Sequence, residues 1–230
     1  MKIYEGKAFE RFYDRDSGAV FSDIEFRHCY FLSCALSITR EPRLRTTVRN
    51  VKLLNCERRG STLHTAIVED CLVESSKTNG LCQSWGAVFK HVTLRGEIER
   101  VMFSPAVSAG LATREEQRAF DESNAEYYKT VDWALDISEA EFEECEIQGV
   151  PASLVRRDIS TQVIVTREKA IRGNWHELDL SETWWPTSIK FFLDRAERDI
   201  VLVAPKRHKK FRQLLDGLKR LRDAGVAEPK

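Results

Sequence analysis

Residues 19–38 read Ala19-Val20-Phe21-Ser22-Asp23, Ile24-Glu25-Phe26-Arg27-His28, Cys29-Tyr30-Phe31-Leu32-Ser33, Cys34-Ala35-Leu36-Ser37-Ile38. Every fifth residue is large and apolar: Phe21, Phe26, Phe31, Leu36. Two places before each stands Ala19, Ile24, Cys29 or Cys34, and the remaining places are mostly polar. A strand returns to one face every second residue and a helix every 3.6. A strict step of five fits neither alone. The beat resumes at Val51-x-Leu53, Ala66-x-Val68, Cys71-x-Val73, Ala87-x-Phe89, Val92-x-Leu94 and Val101-x-Phe103. It closes with Leu135-x-Ile137, Ala140-x-Phe142 and Cys145-x-Ile147. Interrupted repeats of this kind are the mark of a solenoid with insertions. Strands in adjacent coils lie about 4.8 Å apart, so equivalent positions touch. One coil cannot bury its own inner face, and only the stack makes a core.

These units resemble the pentapeptide-repeat family, whose repeat is a small residue, a polar one, a central Leu or Phe and two mostly polar residues. The resemblance implies a right-handed quadrilateral β-helix, one repeat per side and four per coil, with the central residue and the small residue two before it pointing inward. The usual Asp or Asn after the small residue is largely missing, so a looser right-handed parallel β-helix of roughly five coils is the form expected. The competing reading is an ordinary β-rich domain with chance five-residue spacing.

The expected organisation is a mainly β solenoid over 1–150 and a C-terminal α/β cap or small appended region over 151–230. Residues 113–130 break the beat. Thr113-Arg114-Glu115-Glu116 is a capping box, and Phe120, Asn124, Tyr127, Tyr128 and Val131 then fall near one face of a helix extruded from the coils. Farther on, Val163–Val165 and Ile200–Val203 read as buried strands. Trp184-Trp185-Pro186 opens a helix over 187–198. Phe211, Leu214, Leu215, Leu218 and Leu221 make an amphipathic helix over about 206–224, stopped at Gly225. An open solenoid end exposes strand edges, so these C-terminal helices are expected to cap it.

Composition bounds the function. The chain has 230 residues with 36 Lys+Arg against 36 Asp+Glu, which excludes a globally basic nucleic-acid binder and a strongly acidic DNA mimic. No apolar run reaches the ~20 residues of a membrane span, and Met1–Gly6 carries no apolar leader. A cytoplasmic location is the expectation. Cys29, Cys34, Cys56, Cys71, Cys82 and Cys145 include no Cys-x-x-Cys pair, so core thiols are expected rather than disulfides or zinc ligands. His28, His64, His91, His176 and His208 are scattered, with no hydrolase, metalloprotease or phosphate-loop motif near them. No catalytic, metal or cofactor residue is assigned.

The candidate contact residues are charged or aromatic. Glu139, Glu141, Glu143, Glu144 and Glu146 interleave with inward Ala140, Phe142 and Cys145 and are expected to form an acidic wall that steers a protein partner. Tyr127 and Tyr128 either pack on the coils or add a recognition surface. Lys206, Arg207, Lys209, Lys210 and Arg212 open the last helix, a placement its dipole disfavours. Arg40, Arg43, Arg45, Arg49, Lys52, Arg58 and Arg59 lack interleaved aromatics for base stacking, so a nucleic-acid partner is not expected. The favoured function is a non-catalytic protein-binding solenoid of a bacterial cytoplasm, an immunity or antagonist protein for a toxin or effector. The alternatives are a topoisomerase-binding DNA mimic, which the resemblance also implies, and a β-helix carbohydrate-active enzyme. The oligomeric state is left open.

Overall fold

A computed structural model describes residues 1–107, 112–195 and 197–228. It is mainly β, with strands of successive coils lying parallel and in register. The first coil holds β1 (Lys2–Glu5), β2 (Ala8–Glu10) and β3 (Tyr13–Arg15). The second holds β4 (Val20–Arg27), β5 (Tyr30–Leu32) and β6 (Ala35–Ile38), and the third β7 (Thr47–Leu54), β8 (Glu57–Arg59) and β9 (Thr62–His64). The fourth holds β10 (Ile67–Glu69), β11 (Leu72–Asn79) and β12 (Cys82–Trp85). The fifth holds β13 (Val88–Lys90) and the long β14 (Val92–Ser104).

The registers arrange these strands in four columns. Along one, Tyr4, Phe26, Leu53, Val73 and Leu94 lie side by side. A second runs Phe21, Val48, Val68, Phe89. A third runs Leu36, Leu63, Ser84, Phe103, Ile147. The fourth runs Phe9, Phe31, Arg58, Thr78 and so turns polar halfway. The central residues of the five-residue units are therefore the ladder positions, and most coils advance by roughly 20–22 residues. The step from the second coil to the third is longer, because a 3-10 turn at Pro42–Leu44 is spliced in.

The corners between columns explain the polar residues. Asp23, His28, Ser33, Asn50, Asn55, Asp70, Ser75 and His91 all have φ between +50° and +57°, the left-handed region that short polar side chains tolerate best. Asn50 donates from Nδ2 to Asp23 Oδ1 of the preceding coil at 2.6 Å. The inward cysteines use a second device. Cys29, Cys34 and Cys56 each place the thiol within donating distance of the carbonyl two residues before and of one in the preceding coil. Cys29, Cys56 and Cys71 are buried, while Cys34, Cys82 and Cys145 are half-buried.

After β14, α1 (Arg114–Tyr128) stands where the column of Phe21, Val48, Val68 and Phe89 would continue and packs against β13; its capping box at Thr113 and Glu116 is formed on both sides. The stack resumes in β15 (Leu135–Asp136), β16 (Ala140–Ile147) and β17 (Val155–Arg156). Then β18 (Gln162–Thr166), α2 (Arg167–Arg172), α3 (Trp185–Leu193), β19 (Asp199–Val203) and α4 (Phe211–Asp223) complete the chain. β18 and β19 pair antiparallel, and β19 meets β16 at Ile147–Val201. Their alternation buries both faces. Ile164, Val201 and Val203 join the solenoid core, whereas Val163, Val165, Ile200 and Leu202 join a second core with Trp175, Trp185, Phe192, Leu214 and Leu218.

Two helix boundaries depart from the sequence reading. The helix expected over 187–198 spans Trp185–Leu193. It ends where the Arg167 side chain collects the carbonyls of Phe192 and Leu193 at 3.2 Å and of Glu197 at 2.9 Å, satisfying the last helical turn. The helix expected over 206–224 spans Phe211–Asp223. Lys206–Lys210 stay outside it, in keeping with the poor match of cations to a helix N-terminus.

Candidate functional site

The five glutamates do not share one wall. β16 turns a corner near Glu143 and Glu144, so Glu141 stands beside Glu97 while Glu144 stands beside Arg100 and Glu146 beside Met102. Glu139, Glu141, Glu144 and Glu146 are exposed. Glu143 pairs with Arg100 at 2.6 Å, which holds its carboxyl below the ordinary range. Arg207 reaches Glu97 at 3.1 Å and its backbone N–H donates to the Phe142 carbonyl at 2.9 Å. The negative charge is thus interleaved with cations. The basic cluster before α4 disperses in the same way: Lys206 lies 3.0 Å from Asp158 and Lys210 3.9 Å from Glu182.

The two tyrosines sit on the inner side of α1. Tyr128 is buried in the solenoid core, and burial pushes its hydroxyl pKa up. Tyr127 is half-buried, donates to Glu69 Oε1 at 3.1 Å and meets Tyr128 edge-on at 5.8 Å. Packing on the coils accounts for both rings. Tyr127 also forms one side of a shallow groove of about 470 Å³ with Pro42, Arg45, Ile67, Ser123, Glu126 and Thr130.

A larger polar cleft of about 510 Å³ opens between one coil corner and the segment that leads into α4. His28, Asn55 and Ser75 come from the corner, Tyr30, Glu57 and Lys77 from the adjoining strands, and Glu97 and Arg207 close it. Its carboxylates are engaged by guanidinium groups, Glu57 by Arg59 and Glu97 by Arg207. Among the described residues no hydrogen bond joins His28 to a nucleophile or an acid, the arrangement that activates a side chain for attack. Nor do the described residues bring together three side chains suited to a metal ion.

The most concentrated titratable group is at another corner. His91 lies between two carboxylates, Nδ1 at 3.0 Å from Asp70 and Nε2 at 2.6 Å from Asp132. Its ring lies 4.7 Å from that of Trp133, and the Arg156 guanidinium lies over the same indole at 4.1 Å. The hydrogen bond to Asp132 raises the His91 pKa, burial opposes this, and Asp70 adds to the rise. The outward place of His91 was legible in its repeat, but its partners lie 21 and 41 residues away.

Exposed apolar side chains recur at the N-terminal end of the stack: Ile3, Phe12 and Tyr13 in the first coil and Val20 and Tyr30 in the second are between 44% and 64% exposed. Beneath them Tyr4 stacks on Phe26 at 5.4 Å and Phe9 on Phe31 at 5.4 Å. No helix among the described residues is long and apolar enough to cross a membrane. Compared with known proteins, the chain matches no protein-family model, no curated protein and no solved structure.

Proposed function

We propose that the chain is a right-handed, pentapeptide-repeat-like β-helix that acts as a non-catalytic protein-binding solenoid. The four columns and the spacing of roughly 20–22 residues per coil support the solenoid. The near-universal right-handedness of parallel crossovers supports the hand. The observation that carries the binding role is the apolar exposure of the first two coils. Large side chains exposed together on a water-facing end mark a contact surface, and strands β1–β3 there are paired on one side only, with β4, β5 and β6. Interleaved signs on the walls lend no support to DNA mimicry, which needs a continuous acidic surface. The engaged carboxylates of the polar cleft lend none to glycoside hydrolysis, which needs a free pair. The narrowest form of the reading is an antagonist or immunity protein in a bacterial cytoplasm.

The test is a triple variant, Phe12→Ser, Tyr13→Ser and Val20→Ser, beside a control pair in the cap, Ile171→Ser and Phe191→Ser. All five positions are exposed, so the fold should persist. Wild type and control should retain the same saturable protein partner from source cells, and the triple variant should lose it. Light scattering on the purified chain distinguishes a second copy from a different protein. Equal retention by all three would refute a role for this end of the stack.

A further inference from the structure

The groove between α1 and the third and fourth coils contains an uncompensated cation. Arg45 follows the 3-10 turn and is 5% exposed. Its Nη2 donates to the Asn124 amide oxygen, and its guanidinium lies over the Phe120 ring at 4.7 Å. Its Nε is buried with no acceptor. Among the described residues no carboxylate comes within ion-pair distance, although twelve other arginines each have one. Buried charges are ordinarily paired, because removing an ion from water costs several kcal/mol. Burial accordingly brings the Arg45 pKa down to about 10.

We propose that Arg45 is the floor of a binding site for a small organic carboxylate. The groove volume of about 470 Å³ lies in the range of small-ligand pockets. Pro42, Ile67 and the Tyr127 ring offer apolar walls for a short hydrocarbon stem, and Ser123 and Thr130 supply hydroxyls. One guanidinium balances one negative charge. Glu126 at the rim is paired with Lys129 at 2.5 Å, so Arg45 is the one unpaired charge facing the ligand. The carboxylate would take the unfilled donors of Arg45 and so supply the counterion that the fold omits.

The probe is sodium butyrate, with butyramide as its neutral counterpart at equal ionic strength. Two-dimensional NMR follows the Arg45 Nε–H and the backbone amides of Ile67, Ser123 and Thr130. Butyrate should shift these signals saturably and butyramide should not. Arg45→Gln, checked for folding by circular dichroism, should weaken butyrate binding by about tenfold or more, the loss of one charge-assisted contact. If that variant does not fold, the wild-type pair of titrations decides. The proposal is overturned if about 100 mM butyrate, far above the millimolar range of weak sites, moves none of these signals. It is equally overturned if butyramide moves them as much, or if folded Arg45→Gln binds butyrate unchanged.

Discussion

Truncating Phe142 should be far more costly than truncating Phe31, although both are central residues of the same five-residue unit. Phe142 is 1% exposed, lies beside Ile98 of the preceding coil and belongs to the core between the strands. Phe31 is half-buried in the second coil, stacked on Phe9 at 5.4 Å and meeting Phe26 edge-on at 5.2 Å. A fully buried Phe→Ala change costs ~3–5 kcal/mol, from lost transfer energy plus the cavity left behind. Phe142→Ala should fall in that range, since neighbours on both sides hold the cavity open. Phe31→Ala leaves a gap that water enters from the first coil, and about half the cost, ~2 kcal/mol, is expected. Urea denaturation gives both values, provided the m-value stays constant. Tryptophans lie in both parts, Trp85 and Trp133 in the coils and Trp175, Trp184 and Trp185 in the cap, so coincidence of fluorescence and circular dichroism tests two-state behaviour. Equal losses at the two sites, or a loss below about 1 kcal/mol at Phe142, would refute the ladder with its graded burial.

Four further outcomes are expected. Because the His91 pKa is raised in the fold and the Asp132 pKa lowered, their contact should stabilise while His91 is protonated and Asp132 ionised. That contribution is complete below the ordinary His value of 6.5, provided Asp132 stays ionised, and fades as pH rises through the higher folded one. An NMR titration of the imidazole should show the raised midpoint, and His91→Gln should flatten the dependence of Tm on pH in this window. Cys71, with burial pushing its thiol up to about 11, should resist a thiol reagent at neutral pH in the native protein and react once unfolded; rapid native labelling would contradict its inward place. Gly149→Ala should destabilise by ~1–3 kcal/mol, since φ is +74° and a Cβ would lie 2.7 Å from Pro105 Cβ; calorimetry reads the change. Glu141→Lys, Glu143→Lys and Glu144→Lys together should leave the fold intact; if the acidic strand contacts the partner, they should also weaken the complex and reduce its salt dependence.

The ladder was legible where adjacent coils share one chemistry. Ile24-x-Phe26 and Val51-x-Leu53 look alike, and they lie in register because both must fill the same interior. Legibility failed at the first coil, where Lys2 and Lys7 precede Tyr4 and Phe9 in the places usually held by small apolar residues. It failed again at Arg58, a cation in a ladder position between Phe31 and Thr78. The α1 capping box is local and could be read directly. The groove could not, since it depends on Arg45 meeting Phe120 and Asn124 across more than seventy residues. The split of the glutamates was hidden for a related reason. Alternation shows which side chains face outward, but not where β16 bends to a new side of the coil.

The reversal of strand direction at β19 also limits growth. A parallel stack offers the same edge pattern at every level and is in principle endless, like a polymer with two reactive ends. Here the last parallel coil meets the antiparallel pair β18–β19 at Ile147–Val201, and that pair is in turn covered by helices. One end is therefore terminated. Any self-association through the β1–β3 edge would be head-to-head, a contact that uses up the same surface on both partners and closes at two copies. Fibres require a head-to-tail contact, and the antiparallel pair removes the tail.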